Sequence, residues 1–222
     1  MREKLLKLYD DLHAEYGDLH WWPAETPFEI IIGAILGQAT AWGNAAKAID
    51  NLKAANLLDP DGMSKLSQDE LEMLILPSGY YRAKAKKVRA FLTHLQAHHN
   101  NQLDSLLAQE LPTLREELLS IYGVGEETAD CILLYAAKKP SFVVDTYTYR
   151  LFERLGWFSG KFHYGRLRQM FMENLPHDSE LFNQYHALIV RHGARVCQKT
   201  PQCDKCMLRS QCPTGKASGL QP

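Results

Sequence analysis

Residues 118–131 read LLSIYGVGEETADC, and this stretch predicts two helices joined by a tight turn. The turn contains Gly123, Val124 and Gly125, and two glycines one residue apart allow a backbone approach too close for a Cβ. The N-terminus of the following helix offers backbone N–H groups and the positive end of the helix dipole, which together suit an anion such as phosphate. A plain helix–helix turn has the same pattern, so both interpretations stand at this point.

The rest of the 222-residue chain is also helical in pattern, with apolar residues at i, i+3, i+4 and i+7 between Pro, Gly and Asp-rich breaks. We therefore predict an all-α protein. Residues 59–62 are typical of a turn, Ser67-x-x-Glu70 is a capping box, and the last ten residues are expected to be a disordered tail. The predicted helices are 2–16, 27–38, 42–55, 67–76, 80–98, 103–110, 113–121, 126–138, 144–155, 163–174 and 178–193.

Composition indicates an ordinary globular protein, with 45% hydrophobic and 23% charged residues. Neither a signal peptide nor an apolar run of about 20 residues is recognisable, so we expect a cytoplasmic or nucleoid-associated monomer and no membrane partner. The net charge of −1 argues mildly against a nucleic-acid partner. Residues 82–89, however, hold five cations and no anion, and Lys84 and Lys86 within them are candidate phosphate contacts.

Four cysteines near the C-terminus predict a metal site. Their spacing is C-x5-C-x2-C-x5-C in a polar stretch, and a disulfide pair is not expected without a secretory signal. A single C-x2-C knuckle with wide flanking gaps leaves zinc and a [4Fe–4S] cluster equally open. Cys131, in an apolar helix, is expected to be a buried hydrophobic residue. The four candidate ligands are Cys197, Cys203, Cys206 and Cys212.

Asp145 lies in PSFVVDTYTYRLF (140–152), at the start of a predicted helix and after an apolar pair. A helix N-cap is the ordinary role of an aspartate in this position. A capping carboxylate at a buried helix start is also held rigid and ionised, which is the form needed to stabilise a sugar cation or to activate water. Both roles are compatible.

Aromatic residues gather near the N-terminus, where three of the four tryptophans lie within 22 residues. Core packing explains any one of them. Trp42, however, follows a Gly/Ala/Thr-rich stretch, and flat rings can stack on an extruded base or bind a cationic one. Gln38 could hydrogen-bond a base edge or fill the gap left in the duplex. The candidate base-pocket residues are Trp21, Trp22, Pro23, Trp42 and Gln38.

The chain resembles the endonuclease III superfamily of DNA glycosylases. The matching motifs are ILGQAT (35–40), the hairpin (118–129), VVDTYTYR (143–150) and HALIVRHGARVC (186–197). The resemblance implies a two-lobed helix-hairpin-helix fold that binds double-stranded DNA with a damaged base, and it favours a [4Fe–4S] cluster over zinc. The first cysteine gap is five residues here and usually six in the family. The implied lobes are a central helical barrel at 27–128, and a second lobe, 1–26 plus 129–222, with Asp145 and the cluster loop.

Glu127 separates this chain from endonuclease III itself, which has at that position a lysine that attacks the sugar and cleaves the strand. Glutamate has no amine and cannot form a Schiff base. The segments Trp21-Trp22-Pro23 and SGYYRAKAK (78–86) resemble instead the 3-methyladenine DNA glycosylase branch. This resemblance implies a monofunctional glycosylase that hydrolyses the N-glycosidic bond of an alkylated purine.

In this interpretation Asp145 is the catalytic carboxylate, and Glu127 either orients water or has no catalytic role. The hairpin would bind the DNA backbone, with a monovalent cation possible at its carbonyls. Two alternatives stay open: a glycosylase for another damaged or mispaired base, and a non-catalytic DNA-binding iron–sulfur protein. The predicted backbone contacts are Gly123, Val124, Gly125, Thr128, Lys84 and Lys86.

Overall fold

The structure is a computed structural model that describes residues 1–19 and 21–218. Within these residues it contains helices and turns and no strand, which confirms the all-α prediction. Two 3₁₀ turns (Leu76–Ser78, Cys203–Lys205) and a π-helical segment (Ile132–Ala136) accompany the α-helices. The α-helices are α1 (Arg2–Tyr16), α2 (Pro27–Leu36), α3 (Trp42–Ala54), α4 (Pro60–Lys65), α5 (Gln68–Ile75), α6 (Tyr81–His99), α7 (Leu103–Leu107), α8 (Leu111–Ser120), α9 (Glu126–Cys131), α10 (Thr146–Arg154), α11 (Tyr164–Asn174), α12 (Ser179–Arg195) and α13 (Pro213–Ala217).

Residues 22–139 form one compact unit, built around α2. Thr26 caps this helix by accepting a hydrogen bond from the Glu29 amide, and a proline occupies its first position. Every residue from Phe28 to Leu36 is buried, as expected for a helix that is apolar on nearly all sides. The buried Glu29 carboxylate is paired with Lys53 Nζ at 2.8 Å. Helices α3, α6 and α9 and the π segment pack on α2, which is therefore the centre of this unit's core.

Residues 1–21 and 140–222 form the other compact unit. Helix α12 packs against α1 and α10, and an aromatic cluster fills the core. The Phe142 and Phe171 rings stack with their centroids 3.7 Å apart. The buried Tyr185 hydroxyl donates to the Leu5 carbonyl at 2.8 Å, which joins the N-terminal helix to the C-terminal half of the chain.

The two units begin and end at different residues from the two expected lobes. The central lobe was expected to span residues 27–128, whereas the corresponding unit spans residues 22–139. Residues 22–26 and 129–139 group with the α2-centred unit. The reason is that the π segment Ile132–Ala136 continues directly from α9, and both pack on α2. The chain therefore leaves this unit only after the π segment has ended.

The local structure around α4, α5, α10 and the C-terminus agrees with the sequence in part. The capping box at Ser67 and Glu70 is confirmed, with both reciprocal hydrogen bonds present. The turn predicted at 59–62 is wrong, because Asp59 caps the six-residue helix α4 by accepting from the Gly62 amide. The prediction of a disordered tail is wrong for residues 213–217, which form α13 with Pro213 in its first turn. Residues 219–222, also in the predicted tail, lie outside the described residues. The helix predicted from 144 begins instead at 146.

No helix within the described ranges is both long and apolar enough to cross a membrane.

The aromatic core of the unit containing residues 140–222 provides a stability test. Phe142 is fully buried between aromatic rings, so Phe142→Ala should leave a cavity and lower the free energy of unfolding by about 3–5 kcal/mol. Phe162→Ala is the matched control, because Phe162 is 45% exposed and its loss should cost about 0.5 kcal/mol or less. Urea denaturation followed by circular dichroism measures both. Equal losses for the two variants would contradict this description of the core.

Candidate active site

The predicted hairpin is present, with α8 and α9 joined by the turn 121–125. Gly123 has a φ of +86°, and a Cβ placed on it would lie 2.2 Å from Lys87 Cγ. Such a contact is impossible without displacing the lysine, and the positive φ would strain any other residue. Only glycine therefore fits here, and the turn lies directly against the stem of a lysine side chain.

Gln38 holds this turn in place. Its amide nitrogen donates to the Gly123 carbonyl at 3.0 Å and to the Thr128 hydroxyl at 2.9 Å. Its amide oxygen accepts from the Lys87 ammonium. The amide expected in the base pocket therefore lies at the hairpin in this structure, where it links the loop after α2 to the middle of the turn and to the first turn of α9.

A buried ion pair that sequence reasoning missed joins the two hairpin helices. The Arg115 guanidinium donates twice to the Asp130 carboxylate, at 2.9 and 3.1 Å, and Asp130 is fully buried. Bidentate pairs of this kind fix geometry as well as charge. A signal was available in the sequence, because an acid that directly precedes the apolar stretch 131–137 is expected to be buried and then needs a partner.

The remaining hairpin residues differ in exposure. Gly125, Glu126 and Glu127 are exposed at the start of α9, whereas Val124 and Thr128 are buried. Of the hairpin residues predicted to contact the DNA backbone, Gly125 is therefore exposed, whereas Val124 and Thr128 are buried. The Glu127 side chain lies with Gly125 on the exposed side of the hairpin.

Of the two lysines predicted to contact phosphate, Lys84 is unsuitable. Its side chain is buried, and its ammonium donates to the carbonyls of Leu36 and Ser78 at 2.8 and 2.6 Å. Burial lowers the pKa of Lys84, and the nearby Lys87 lowers it further. This lysine satisfies the C-terminal carbonyl of α2, so the prediction for it is corrected. Lys86 is exposed and stays a candidate.

Trp22, Trp42 and Tyr135 form an aromatic corner in the α2-centred unit. The Trp22 and Trp42 centroids are 5.0 Å apart at an interplanar angle of 83°, and Trp22 lies 5.1 Å from Tyr135. A Cβ on Gly33 would lie 3.5–3.6 Å from both tryptophans, which is ordinary van der Waals contact, so both rings pack against this point of α2. Trp42 is 37% exposed, whereas Tyr135, in the π segment, is fully buried. π-Helical turns are frequent at functional sites.

The other two predicted pocket residues lie elsewhere. Trp21 belongs to the unit of residues 1–21 and 140–222, where it lines a surface hollow with Tyr9 and Gln184. Pro23 is exposed. Of the two adjacent tryptophans, the structure therefore places Trp22 with Trp42.

Asp145 caps α10, in the unit of residues 1–21 and 140–222. Its Oδ1 accepts from the Thr148 amide at 2.8 Å and from the Thr148 hydroxyl at 2.9 Å. The His186 Nε2 atom lies 3.6 Å from the other oxygen, Oδ2, and both side chains are largely buried. The carboxylate is thus held on one oxygen by the helix start and faces an imidazole with the other.

The environment keeps Asp145 ionised. Burial raises the pKa of its carboxyl, but His186 and the two Thr148 hydrogen bonds together lower it below the ordinary value of 3.8. The expected capping role is therefore present, and so is the charged, rigid carboxylate.

The four C-terminal cysteines line one cavity, together with Arg154 and His192. All five cysteines of the chain are free, in agreement with the expected absence of a disulfide, and Cys131 is buried as predicted. Arg154 donates to Cys197 Sγ at 3.1 Å. Burial raises the pKa of the Cys206 thiol, a backbone hydrogen bond from Leu208 opposes this, and repulsion from the other three thiolates raises it again. Four thiolates in one cavity call for a compensating cation.

The four thiols gathered at this cavity are a donor set that both a zinc ion and a four-thiolate iron–sulfur cluster accept.

Residues 32–177, more than half of the chain, match the HhH-GPD superfamily of base excision DNA repair proteins. The chain belongs to this superfamily. It is a DNA glycosylase of base excision repair, which agrees with the resemblance inferred from the hairpin and Asp145 segments. The family assignment also agrees with the all-helical architecture described above.

Individual relatives give the same assignment. A Methanocaldococcus jannaschii protein named as a DNA repair glycosylase is 43% identical over 211 residues, which covers 95% of this chain and 96% of the relative. The structure of a trapped endonuclease III–DNA covalent intermediate is 25% identical, with a TM-score of 0.84 and 98% of both chains covered. An H. pylori 3-methyladenine DNA glycosylase bound to 1,N6-ethenoadenine is 26% identical, with a TM-score of 0.74, covering 85% of this chain and 95% of that one.

The His186 contact predicts a measurable pKa change at Asp145. In His186→Asn only the two hydrogen bonds from Thr148 would remain to oppose the pKa-raising effect of burial. The pKa of Asp145 should therefore rise. A lowered carboxyl pKa adds stability that is present above the unfolded pKa and is lost as the pH falls through the folded pKa. The variant should therefore be less stable than wild type at neutral pH, and this difference should shrink as the pH falls. Carbon-13 NMR titration of labelled aspartate carboxyls measures the pKa. His177→Asn, on an exposed histidine, is the control; an Asp145 pKa that stayed the same or fell in His186→Asn would contradict the contact.

Proposed function

We propose that this protein hydrolyses the N-glycosidic bond of an alkylated purine of the 3-methyladenine type, flipped out of duplex DNA, without cleaving the strand. The observation that supports it most is Asp145, a rigid carboxylate kept ionised by Thr148 and His186. The expected chemistry is stabilisation of a sugar cation, or activation of a water that attacks it. The product would be an abasic site.

The aromatic corner supports the choice of base. A 3-methylated adenine is positively charged and is already a good leaving group, so recognition matters more than acid catalysis. Flipping costs a few kcal/mol, while stacking on one ring yields about 1–3 kcal/mol and a cation over a ring about 0.5–2 kcal/mol. The perpendicular Trp22 and Trp42 rings can supply one face and one edge. These contacts are sufficient to offset the cost of extrusion.

The hairpin is the proposed DNA backbone grip. The backbone amides at the start of α9 would bind a phosphate, and the turn carbonyls would hold a monovalent cation. Gln38 and Lys87 support the turn from behind, and exposed Lys86 is a further phosphate contact. Neither contact reads the base sequence, which fits an enzyme that searches for damage.

Glu127 supports hydrolysis without strand cleavage. It is exposed at the start of α9 and provides a carboxylate where a lyase needs an amine. No Schiff base with the sugar can form on it. Its proposed role is to orient water or to interact favourably with the α9 dipole as a first-turn acid.

A second candidate is a glycosylase for an oxidised or mispaired base. It is favoured by the likeness to the endonuclease III–DNA complex, whose TM-score of 0.84 exceeds the 0.74 of the 3-methyladenine enzyme. The cysteine loop supports it equally well. A panel of damaged substrates separates the two candidates.

We further propose that the four cysteines hold a [4Fe–4S] cluster, because they line one cavity and their sequence pattern has a single C-x2-C pair with wide flanking gaps, unlike the two C-x2-C pairs usual for zinc. When bound, the cluster would supply a structural cross-link between the end of α12 and the following loop.

The purified protein should contain about four irons per chain and absorb broadly in the visible region. Cys203→Ser should lose iron, while Cys131→Ser, on a buried cysteine outside the loop, should keep it. Stoichiometric zinc without iron would overturn this assignment.

Asp145→Asn should reduce release of 3-methyladenine from duplex DNA at least about 100-fold, since it removes the stabilising charge. Asparagine still caps a helix, so folding and DNA affinity should persist. Asp178→Asn is the matched control, because Asp178 caps α12 in the same unit with the same type of hydrogen bond. Full activity in Asp145→Asn would contradict the catalytic assignment.

The same assay, with borohydride added, tests strand chemistry. Wild type should release base without forming a trapped covalent complex, and Glu127→Lys provides an amine as a comparison. Trapping by wild type would overturn the proposed hydrolytic mechanism. Release of oxidised pyrimidine but not of methylated adenine would instead establish the second candidate.

A further inference from the structure

A cluster of histidine and glutamate side chains lies at the C-terminal end of α6, outside the site described above. His94 Nε2 and His99 Nε2 each lie 2.7 Å from the same Glu117 oxygen, Oε1. Among the described residues, this is the group of three whose possible metal-ligand atoms all lie within 4.8 Å of one another. The three side chains are between 9% and 20% exposed, so they are sheltered but reachable from solvent.

The cluster is supported by a second layer of hydrogen bonds. His99 Nδ1 lies 3.0 Å from the Ser105 hydroxyl, which can either donate or accept. The second Glu117 oxygen accepts from the Gln109 amide at 2.5 Å. Metal-binding histidines and carboxylates are oriented in this way by partners on their non-ligating atoms. The serine permits the histidine tautomer with Nδ1 protonated and Nε2 free for a metal.

The Glu117 carboxylate presents one oxygen, Oε1, to both imidazoles, and its side chain is only 20% exposed. The three candidate ligand atoms therefore converge on one sheltered point.

We propose that His94, His99 and Glu117 form a binding site for a divalent metal ion of the zinc class. Two imidazoles and one carboxylate are a donor set that zinc accepts, with a fourth position left for water. Bonds of about 2.0–2.1 Å in tetrahedral geometry place ligand atoms about 3.3 Å apart. The present separations of 2.7 Å need to widen by only about 0.6 Å, a small side-chain adjustment.

The position of the site indicates what a bound ion would do. Glu117 belongs to α8, the first helix of the hairpin, and both histidines belong to the end of α6. An ion would therefore cross-link these two helices and stiffen the base of the hairpin. The site is independent of the base that the enzyme removes, so its failure would leave the proposed glycosylase function untouched.

Equilibrium dialysis of the iron-loaded full chain against zinc, followed by metal analysis, tests the proposal. Wild type should bind one zinc per chain without losing iron. Glu117→Gln should weaken that binding at least about 10-fold, and a His94→Gln/His99→Gln double variant should lose it. His98→Gln is the matched control: it removes an exposed histidine from the same helix turn that is outside the ligand group, and should bind zinc as wild type does.

X-ray absorption at the zinc edge of loaded wild type gives a second readout that needs no variant to fold. Nitrogen and oxygen ligands with imidazole scattering would support the site, whereas sulfur ligands would place the zinc on the cysteines and overturn it. Absence of zinc uptake by wild type, or equal uptake by the folded double variant, would also overturn it.

Discussion

The close approach between Gly123 and the Lys87 side chain is the constraint on which the hairpin depends, because lysine carbons occupy the space that any Cβ at position 123 would need. Gln38 completes the arrangement by bonding the Gly123 carbonyl, the Thr128 hydroxyl and the Lys87 ammonium. Gln38 is the second residue after α2, and the aromatic corner packs against Gly33 within α2. One buried helix therefore positions both the proposed phosphate grip and the proposed base platform.

Asp145 combines structure and chemistry in one side chain. One oxygen caps α10 through Thr148, and the other faces His186. An N-cap aspartate on a surface would gain little from further partners. Here the buried position would by itself favour the neutral acid, and the imidazole and hydroxyl reverse that preference. The local rule for starting a helix and the requirement that the proposed catalytic group be ionised are therefore satisfied by the same contacts.

The hairpin helices are held by buried charge as well as by apolar packing. Arg115 and Asp130 join α8 to α9, while Glu117 joins α8 to the histidines of α6. Both acids are buried or sheltered, and each has basic or imidazole partners that offset the cost of burial. If the turn binds a phosphate as proposed, its amides must keep a fixed orientation, and helices held firmly on either side of it provide this. Helix α8 is therefore anchored at two separate points along its length.

The sequence by itself determined most of the helices, the hairpin and the cap at Asp145, because each follows from local spacing and from preferences of neighbouring residues. It missed α4 and α13, and it predicted a metal site at the cysteines. It also predicted Trp42 as a pocket residue. Tertiary structure alone decided that Trp22 and not Trp21 meets Trp42, that Gln38 supports the hairpin, and that Lys84 bonds to carbonyls and is unavailable to phosphate. It also brought Glu117 to His94 and His99. These outcomes depend on which side chains meet across helices distant in sequence, and periodicity within one helix contains no information on the partner.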